Sequence, residues 1–280
     1  MDTPAKGCLD YGAAAESPQV PGVDGFGELL RDCYRAGARR GVARQVIERS
    51  DGFVSVEDAF RYFTRPDEWM VPERRAVELA AGRVLDVGCG AGRHMIAMRN
   101  CQEVVGIDPS PGAVEVARSR GLDARLGTVQ RPGDLGTFDT IMLLGGNLGL
   151  LGSREQAPKV LGSLARLARP GARMYAIGRD PYAVRPPEHL RYHDTNRKAG
   201  RMPGQVRMRL RYRCWASAWF DRLMVSPYEL EMLVTGSPWR LLDCSAVYAT
   251  GFFLAELQHV GTQRAITDAP ATTPPQRSRS

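Results

Sequence analysis

Three glycines at alternate positions, Gly88, Gly90 and Gly92, follow directly on the run Val84-Leu85-Asp86-Val87 and constrain this chain more than anything else in it. Val84, Leu85 and Val87 read as one short buried strand. Glycine turns a backbone through positive φ and lets a ligand approach without meeting a Cβ. After Gly92, the residues Met95, Ile96 and Met98 are spaced as the inner face of a helix. Strand, glycine turn and helix, in that order, open the nucleotide-binding half of a doubly wound α/β domain.

The spacing separates two kinds of nucleotide ligand. A dinucleotide fingerprint, G-x-G-x-x-G, wants its third glycine where this chain has Arg93. What stands here is D-x-G-x-G-x-G, from Asp86 to Gly92, and a second strand over residues 103–108 ends in Asp108, twenty residues after Gly88. An acid at that place can accept both hydroxyls of a ribose. On these residues the chain resembles the class I (Rossmann-like) S-adenosylmethionine-dependent methyltransferases, whose first motif is E/D-x-G-x-G-x-G and whose second strand ends in a ribose-binding acid. The resemblance covers about residues 84–257 and concerns the cofactor, not the acceptor. It implies an α/β fold with a doubly wound, mostly parallel seven-stranded sheet. It also implies binding of S-adenosyl-L-methionine, with S-adenosyl-L-homocysteine as product, by Asp86, Gly88, Cys89, Gly90, Gly92, Asp108, Pro109, Thr128, Val129, Leu144, Gly145 and Asn147. The family often places an acid after the third strand to meet the adenine amino group. This chain has Thr128-Val129-Gln130 there, which leaves adenine to backbone groups or to Gln130.

A chain of 280 residues, 43% of them hydrophobic, can bury one sizeable core and a small appended subdomain. No apolar run approaches the ~18 residues of a membrane span. No basic region followed by an apolar stretch opens the sequence, so the expected location is cytoplasmic. Six cysteines, at 8, 33, 89, 101, 214 and 244, include no C-x-x-C pair and are expected as reduced thiols, not as a zinc site. The net charge of +7 is concentrated: residues 185–213 hold nine basic side chains against two acids, which accounts for all of it.

Along the chain, residues 1–23 are rich in Ala, Gly and Pro and are expected as a disordered tail, as are residues 262–280. Residues 24–82 are expected to form an N-terminal helical cap. Phe26, Leu29, Leu30, Cys33 and Tyr34 lie on one helical face; a second helix is expected from Ser55 to before Pro66, and a third from Pro72 to Gly82. The methyltransferase domain then spans residues 83–261, with an acceptor-side insertion over 179–213 after the fifth strand. Ser110-Pro111 opens a helix stopped by Gly121, Ser226-Pro227-Tyr228-Glu229 opens another stopped by Gly236, and two last strands form a hairpin. The fourth strand ends in Gly145-Gly146-Asn147, where Asn147 either positions a ligand or serves as a turn residue.

Segment 179–204 leaves the carboxyl end of a central strand, where such folds collect catalytic side chains. Its candidate proton acceptors are His193, His189 and Asp180. His189 and His193 share a helical face, but E-H-x-x-x-H is not H-E-x-x-H and no third ligand is near, so no metal is expected. Residues 205–213 alternate apolar and basic, with Arg207, Arg209, Arg211 and Arg213 on one face. Three roles compete for these arginines: a solvated edge strand, capture of an acidic small molecule, and a nucleic-acid track. The expected activity is in-line methyl transfer to a small-molecule acceptor of specialised metabolism. The alternatives are a nucleic-acid methyltransferase, disfavoured by Gly-Gly-Asn-Leu where amino-directed enzymes carry N/D-P-P-Y/F, and a non-catalytic cofactor binder.

Overall fold

The computed structural model describes residues 24–183 and 185–261, so the two expected tails, 1–23 and 262–280, lie outside the described residues. In chain order the elements are α1 (Gly25–Arg35), β1 (Arg44–Arg49), β2 (Val54–Asp58), α2 (Val71–Leu79), β3 (Arg83–Val87), β4 (Glu103–Asp108), α3 (Pro111–Ser119), β5 (Asp123–Leu126) and β6 (Phe138–Leu143). There follow α4 (Ala157–Arg166), β7 (Ala168–Arg179), α5 (Pro187–Lys198), β8 (Gln205–Tyr212), β9 (Trp215–Ala216), β10 (Phe220–Leu223), α6 (Pro227–Val234), β11 (Trp239–Cys244) and β12 (Phe252–His259).

Seven strands form one sheet in the order β11-β12-β7-β6-β3-β4-β5. Strands β3 to β7 run parallel, and β12 is antiparallel to both β7 and β11. Residues 84–87 of β3 are all buried, as an apolar central strand covered on both faces requires. The chain builds outward from β3 through β4 to β5, then returns to β6 and β7 on the other side. The strand order therefore reverses between β3 and β6, and ligands of such sheets bind beyond the carboxyl ends at that switch.

Three expectations need correction. The helix expected from Ser55 is strand β2, paired antiparallel with β1. Asp51-Gly52, with Gly52 at φ +86°, makes the turn between them, and β-branched Val54 and Val56 favour the extended state. Second, no α-helix follows the glycine turn; only a 3-10 turn, Met95–Ala97, is present. Ten residues separate Gly92 from Glu103 and must return the chain to the start of β4. A helix rising about 1.5 Å per residue would use nearly all of them. Third, β8 is not an edge strand. It lies inside a second, antiparallel sheet of order β10-β8-β1-β2, with β9 also paired to β8.

The cap is thus part helix and part sheet, and it is bolted to the larger sheet beside the glycine turn. Helix α1 crosses α3 so closely that a Cβ on Gly112 would stand 2.5 Å from the Gly27 Cα; only glycine fits. The Asp24 carboxylate caps both helices. It accepts from Gly27 N at 2.8 Å, and from Ser110 Oγ and Gly112 N at 2.7 Å each. Leu29, Leu30 and Cys33 of α1 then pack with Ala91 of the turn, Ala113 and Val116 of α3, and Tyr212 of β8. Burying each leucine contributes about 2 kcal/mol.

Candidate functional site

The glycine turn lies between β3 and the loop after β6. Gly88, Gly90 and Gly92 have φ of +73°, +54° and +74°. A Cβ on Gly88 would stand 2.6 Å from Asn147 Nδ2, and one on Gly92 would stand 2.2 Å from Leu122 Cδ1. A Cβ on Gly90 would meet nothing within 4 Å, so this is where the backbone opens toward a ligand.

Two acids flank the opening. Asp108 ends β4; its Oδ2 accepts from Gly90 N and its Oδ1 from Ser110 N, both at 2.9 Å. Burial pushes its pKa up to about 6, the two N–H groups oppose the shift, and Asp24 adds to it. Asp86 lies in β3 at 1% exposure, and its Oδ2 has no hydrogen-bond partner. Burial raises it to about 7, against the pull of Arg93 and with the push of Asp108. A buried carboxylate oxygen without a donor is costly unless a ligand supplies one. An orphaned acceptor, an open glycine and an acid at the end of the next strand fit a ligand carrying an ammonium group and ribose hydroxyls.

Asn147 fastens the post-β6 loop to this turn. Its Nδ2 donates to Val87 O at 2.9 Å and Gly88 O at 3.1 Å, while its Oδ1 accepts from Arg222 Nη2 at 3.3 Å. The side chain thereby holds two loops together. Leu144 and the Cys89 thiol are buried, the latter raised well above its ordinary pKa by burial. Pro109 is exposed beside Asp108. Thr128 makes a local turn, accepting from Arg131 N at 3.1 Å, and Val129 is buried in the main core.

Behind the turn is a buried polar cluster that the sequence did not disclose. Glu73, 1% exposed at the start of α2, accepts from Arg93 Nη2, from Met70 N at 3.2 Å, and lies 3.3 Å from His94 Nε2. Arg93 also donates to Thr64 Oγ1 at 3.0 Å. Burial alone would raise Glu73, but the His94 hydrogen bond and the Arg93 charge bring it below its usual value. His94, edge-on to Trp69, is pushed down to about 4 by burial and so stays neutral. The only sequence signal for Arg93 was that it broke the dinucleotide pattern.

Of the three candidate proton acceptors, two lie on α5 and the third just after β7. His189 and His193 share α5, as their spacing required. His189 Nδ1 accepts from Arg49 Nη1 at 2.8 Å, and its ring lies edge-on to Phe53, so it docks α5 on the β1–β2 hairpin. His193 is buried. Burial lowers both pKa values, with Arg49 adding at His189 and Arg197 at His193, which favours neutral rings. Asp180 Oδ1 accepts from Tyr182 N at 2.8 Å and so starts the short turn after β7. The β8 arginines are spoken for. Arg207 pairs with Asp221, Arg209 and Arg211 share Glu48, and Arg213 meets Asp32.

Comparison with known proteins agrees with this geometry. A family described as "Methyltransferase domain" matches residues 84–171. A SAM-dependent methyltransferase from Bacteroides fragilis, solved with S-adenosyl-L-homocysteine, superposes with a TM-score of 0.70 at 25% identity, over 84% of this chain and 94% of that one. Together these matches indicate a class I S-adenosylmethionine-dependent methyltransferase. A SAM-dependent methyltransferase from Methanosarcina mazei shares the fold at a TM-score of 0.51 and 15% identity, over 64% of this chain and 92% of that one. Among curated sequences, "Ubiquinone biosynthesis O-methyltransferase" of Xanthomonas oryzae pv. oryzae is 33% identical over 118 residues, which are 38% of this chain and 48% of that one. The chain thus spans about half the length of the curated relatives it matches. No described helix is long and apolar enough to cross a membrane, and no metal-holding cluster occurs among the described residues.

Proposed function

We propose that this chain transfers a methyl group from S-adenosylmethionine to a small-molecule acceptor, by in-line displacement at the switch between β3 and β6. The observation that carries the reading is the orphaned Asp86 Oδ2 beneath a glycine turn whose Gly90 faces open space. Asp86 accepts from the ammonium of the amino-acid end, and Asp108 from the ribose hydroxyls, with Gly90 leaving room between them. Bound cofactor supplies a methyl group already activated on a positively charged sulfur, so the protein's share is to orient the nucleophile and exclude water. The cap does the excluding, since its core closes directly on Ala91 of the turn.

A hydroxyl acceptor must lose a proton, and the segment after β7 is the proposed source of the group that takes it. His193, His189 and Asp180 are the candidates, with both histidines biased toward the neutral form a base needs. A small molecule of specialised metabolism is the proposed acceptor class. The curated relative, an O-methyltransferase of ubiquinone biosynthesis by name, supports a small acceptor, and the pairing of the β8 arginines with carboxylates speaks against a nucleic-acid track. The test is thermal unfolding with ligands: S-adenosylhomocysteine raises the melting temperature and NAD(H) does not. Equal stabilisation by NAD(H) would overturn the cofactor assignment. Turnover that is unchanged in alanine variants of all three candidate bases would move the proton transfer elsewhere.

A further inference from the structure

Arginines near the cleft fall into two kinds. Those of β8 face carboxylates, and so do Arg93, held by Glu73, and Arg61, held by Glu57. Arg179 and Arg222 make no ion pair among the described residues. Arg179 is the last residue of β7, in register with Phe252 of β12. Its guanidinium carbon lies 5.4 Å from the Phe252 ring centroid, and its Nε is buried without a partner. Arg222, on β10 of the cap sheet, has only uncharged acceptors: Gly146 O at 2.6 Å and Asn147 Oδ1 at 3.3 Å.

Both side chains border the loop at residues 145–147, Arg222 directly and Arg179 through Phe252. A Cβ built on Gly146 would stand 3.6 Å from the Phe252 ring, while the Gly146 carbonyl takes the Arg222 hydrogen bond. Arg179 with Phe252 thus borders residues 145–147 on the side of the large sheet, and Arg222 borders them on the side of the cap. Asn147 ties that same loop to Val87 and Gly88. Burial depresses both arginines, and the nearby charge of Arg61 depresses both further. Glu57 and Tyr62 offset this only in part, and Glu57 is already paired with Arg61. Desolvated like charges held together are unfavourable until an anion joins them. A planar guanidinium fork is the side chain that best matches a carboxylate or phosphate.

We propose that the methyl acceptor bears an oxyanion, a carboxylate or a phosphate, gripped by Arg179 and Arg222 beside the loop at residues 145–147. The proposal rests on the methyl-transfer reading above and assigns charge recognition to these two arginines rather than to the basic face of β8.

The experiment is calorimetric titration of the full chain, saturated with S-adenosylhomocysteine, using three probes of similar size: benzoate, phenyl phosphate and neutral benzyl alcohol. At least one anion is expected to bind about tenfold or more tighter than benzyl alcohol, with a preference that shrinks as salt rises. Tighter phenyl phosphate assigns a phosphate acceptor, and tighter benzoate a carboxylate. Arg179→Met and Arg222→Met should each cut that preference about tenfold while S-adenosylhomocysteine affinity stays within about twofold. Arg222→Lys keeps charge without the fork and should retain part of it. If Arg222→Met fails to fold, the parent probe comparison and Arg179→Met still decide. No anion preference in the parent, or a preference that survives Arg179→Met, overturns the proposal. Failure of the parent to bind S-adenosylhomocysteine at all would instead overturn the cofactor reading, and the two failures are read separately.

Discussion

The cofactor side and the cap side of the cleft differ in how far apart in the chain their parts lie. On the cofactor side, Asp86, the three glycines and Asp108 all fall within a short stretch, and parallel pairing of β3 with β4 brings its ends together. On the cap side, Ile47 lies beside Leu210 and Arg49 beside Met208, partners more than a hundred and fifty residues apart. The two sides also treat charge differently. Carboxylates behind the glycine turn are buried, whereas Arg211 of the cap sheet and Arg213 in the turn after it reach their acids from solvent-exposed positions. A local motif with buried charges binds by precise placement; a sheet of distant segments with exposed ion pairs encloses.

The largest expected effect tests the buried side. Glu73→Ala would leave Arg93 with Thr64 as its remaining side-chain acceptor, in place that is only 15% exposed. Breaking one partner of a buried pair costs about 3–5 kcal/mol, so the denaturation midpoint should fall steeply. Glu73→Gln keeps an acceptor for Arg93 and His94 and should lose less. A change in Glu73→Ala no larger than an exposed pair gives would remove the contrast between the two sides.

Asp108→Ala comes next. It removes an acceptor from Gly90 N and Ser110 N as well as the proposed ribose contact. Affinity for S-adenosylhomocysteine should drop by about 1–3 kcal/mol, roughly five- to 150-fold, by titration calorimetry. Undiminished affinity would detach Asp108 from the site.

These two predictions also mark how much was legible beforehand. Asp108 could be read because strand length and glycine spacing fix it relative to Gly88. Glu73 could not, because nothing in Val71-Pro72-Glu73 shows that the helix start will lie against Arg93. The same limit explains the cap. Val54 and Val56 alternate with polar residues, but their partner strand and its neighbour β8 are chosen by long-range pairing, which local periodicity does not encode. The helix expected after Gly92 failed for a different reason, the ten residues available before β4. Arg179 opens the segment 179–204 that strand position marks as acceptor-side, but its role was hidden among the candidate bases there, and Arg222, outside the basic run at 205–213, carried no local signal.

A smaller effect sits on Asp86. Its folded pKa of about 7 lies above the ordinary carboxylate value, so its neutral form is favoured in the folded, ligand-free chain. The stability linked to it is fully present below the ordinary value, about 4, and is lost as pH rises through about 7. His94, His189 and His193 work the opposite way, losing stability as pH falls below about 6.5, and Asp108, raised to about 6, works in the same direction as Asp86, so the Asp86 share is read against Asp86→Asn. Ligand-free melting temperature of the parent, taken relative to Asp86→Asn, should therefore decline as pH rises through about 7. An ammonium placed against Asp86 favours its ionised form, so S-adenosylhomocysteine should release a fraction of a proton on binding near neutral pH. Calorimetry in buffers of different ionisation enthalpy measures that release. Proton uptake, or none, would leave Asp86 without its proposed partner.

The smallest effect is expected on the cap sheet. Arg209 holds Glu48 through two nitrogens, at 2.9 and 3.2 Å, and lies over the Trp219 ring at 4.7 Å; Arg211 reaches the same carboxylate at 3.3 Å from a half-exposed position. Glu48 is lowered by these contacts, the Arg209 hydrogen bond first. Ion pairs of this partly exposed kind are worth about 0–1 kcal/mol each, and salt screens them. Arg209→Ala with Arg211→Ala should therefore lower stability only slightly, with most of the loss coming from the contact with Trp219. The same double variant should leave the preference for benzoate or phenyl phosphate over benzyl alcohol unchanged, because its arginines already have Glu48. If that preference vanishes here and survives in Arg179→Met, the anion site belongs to β8, and the cap sheet recognises the acceptor as well as enclosing it.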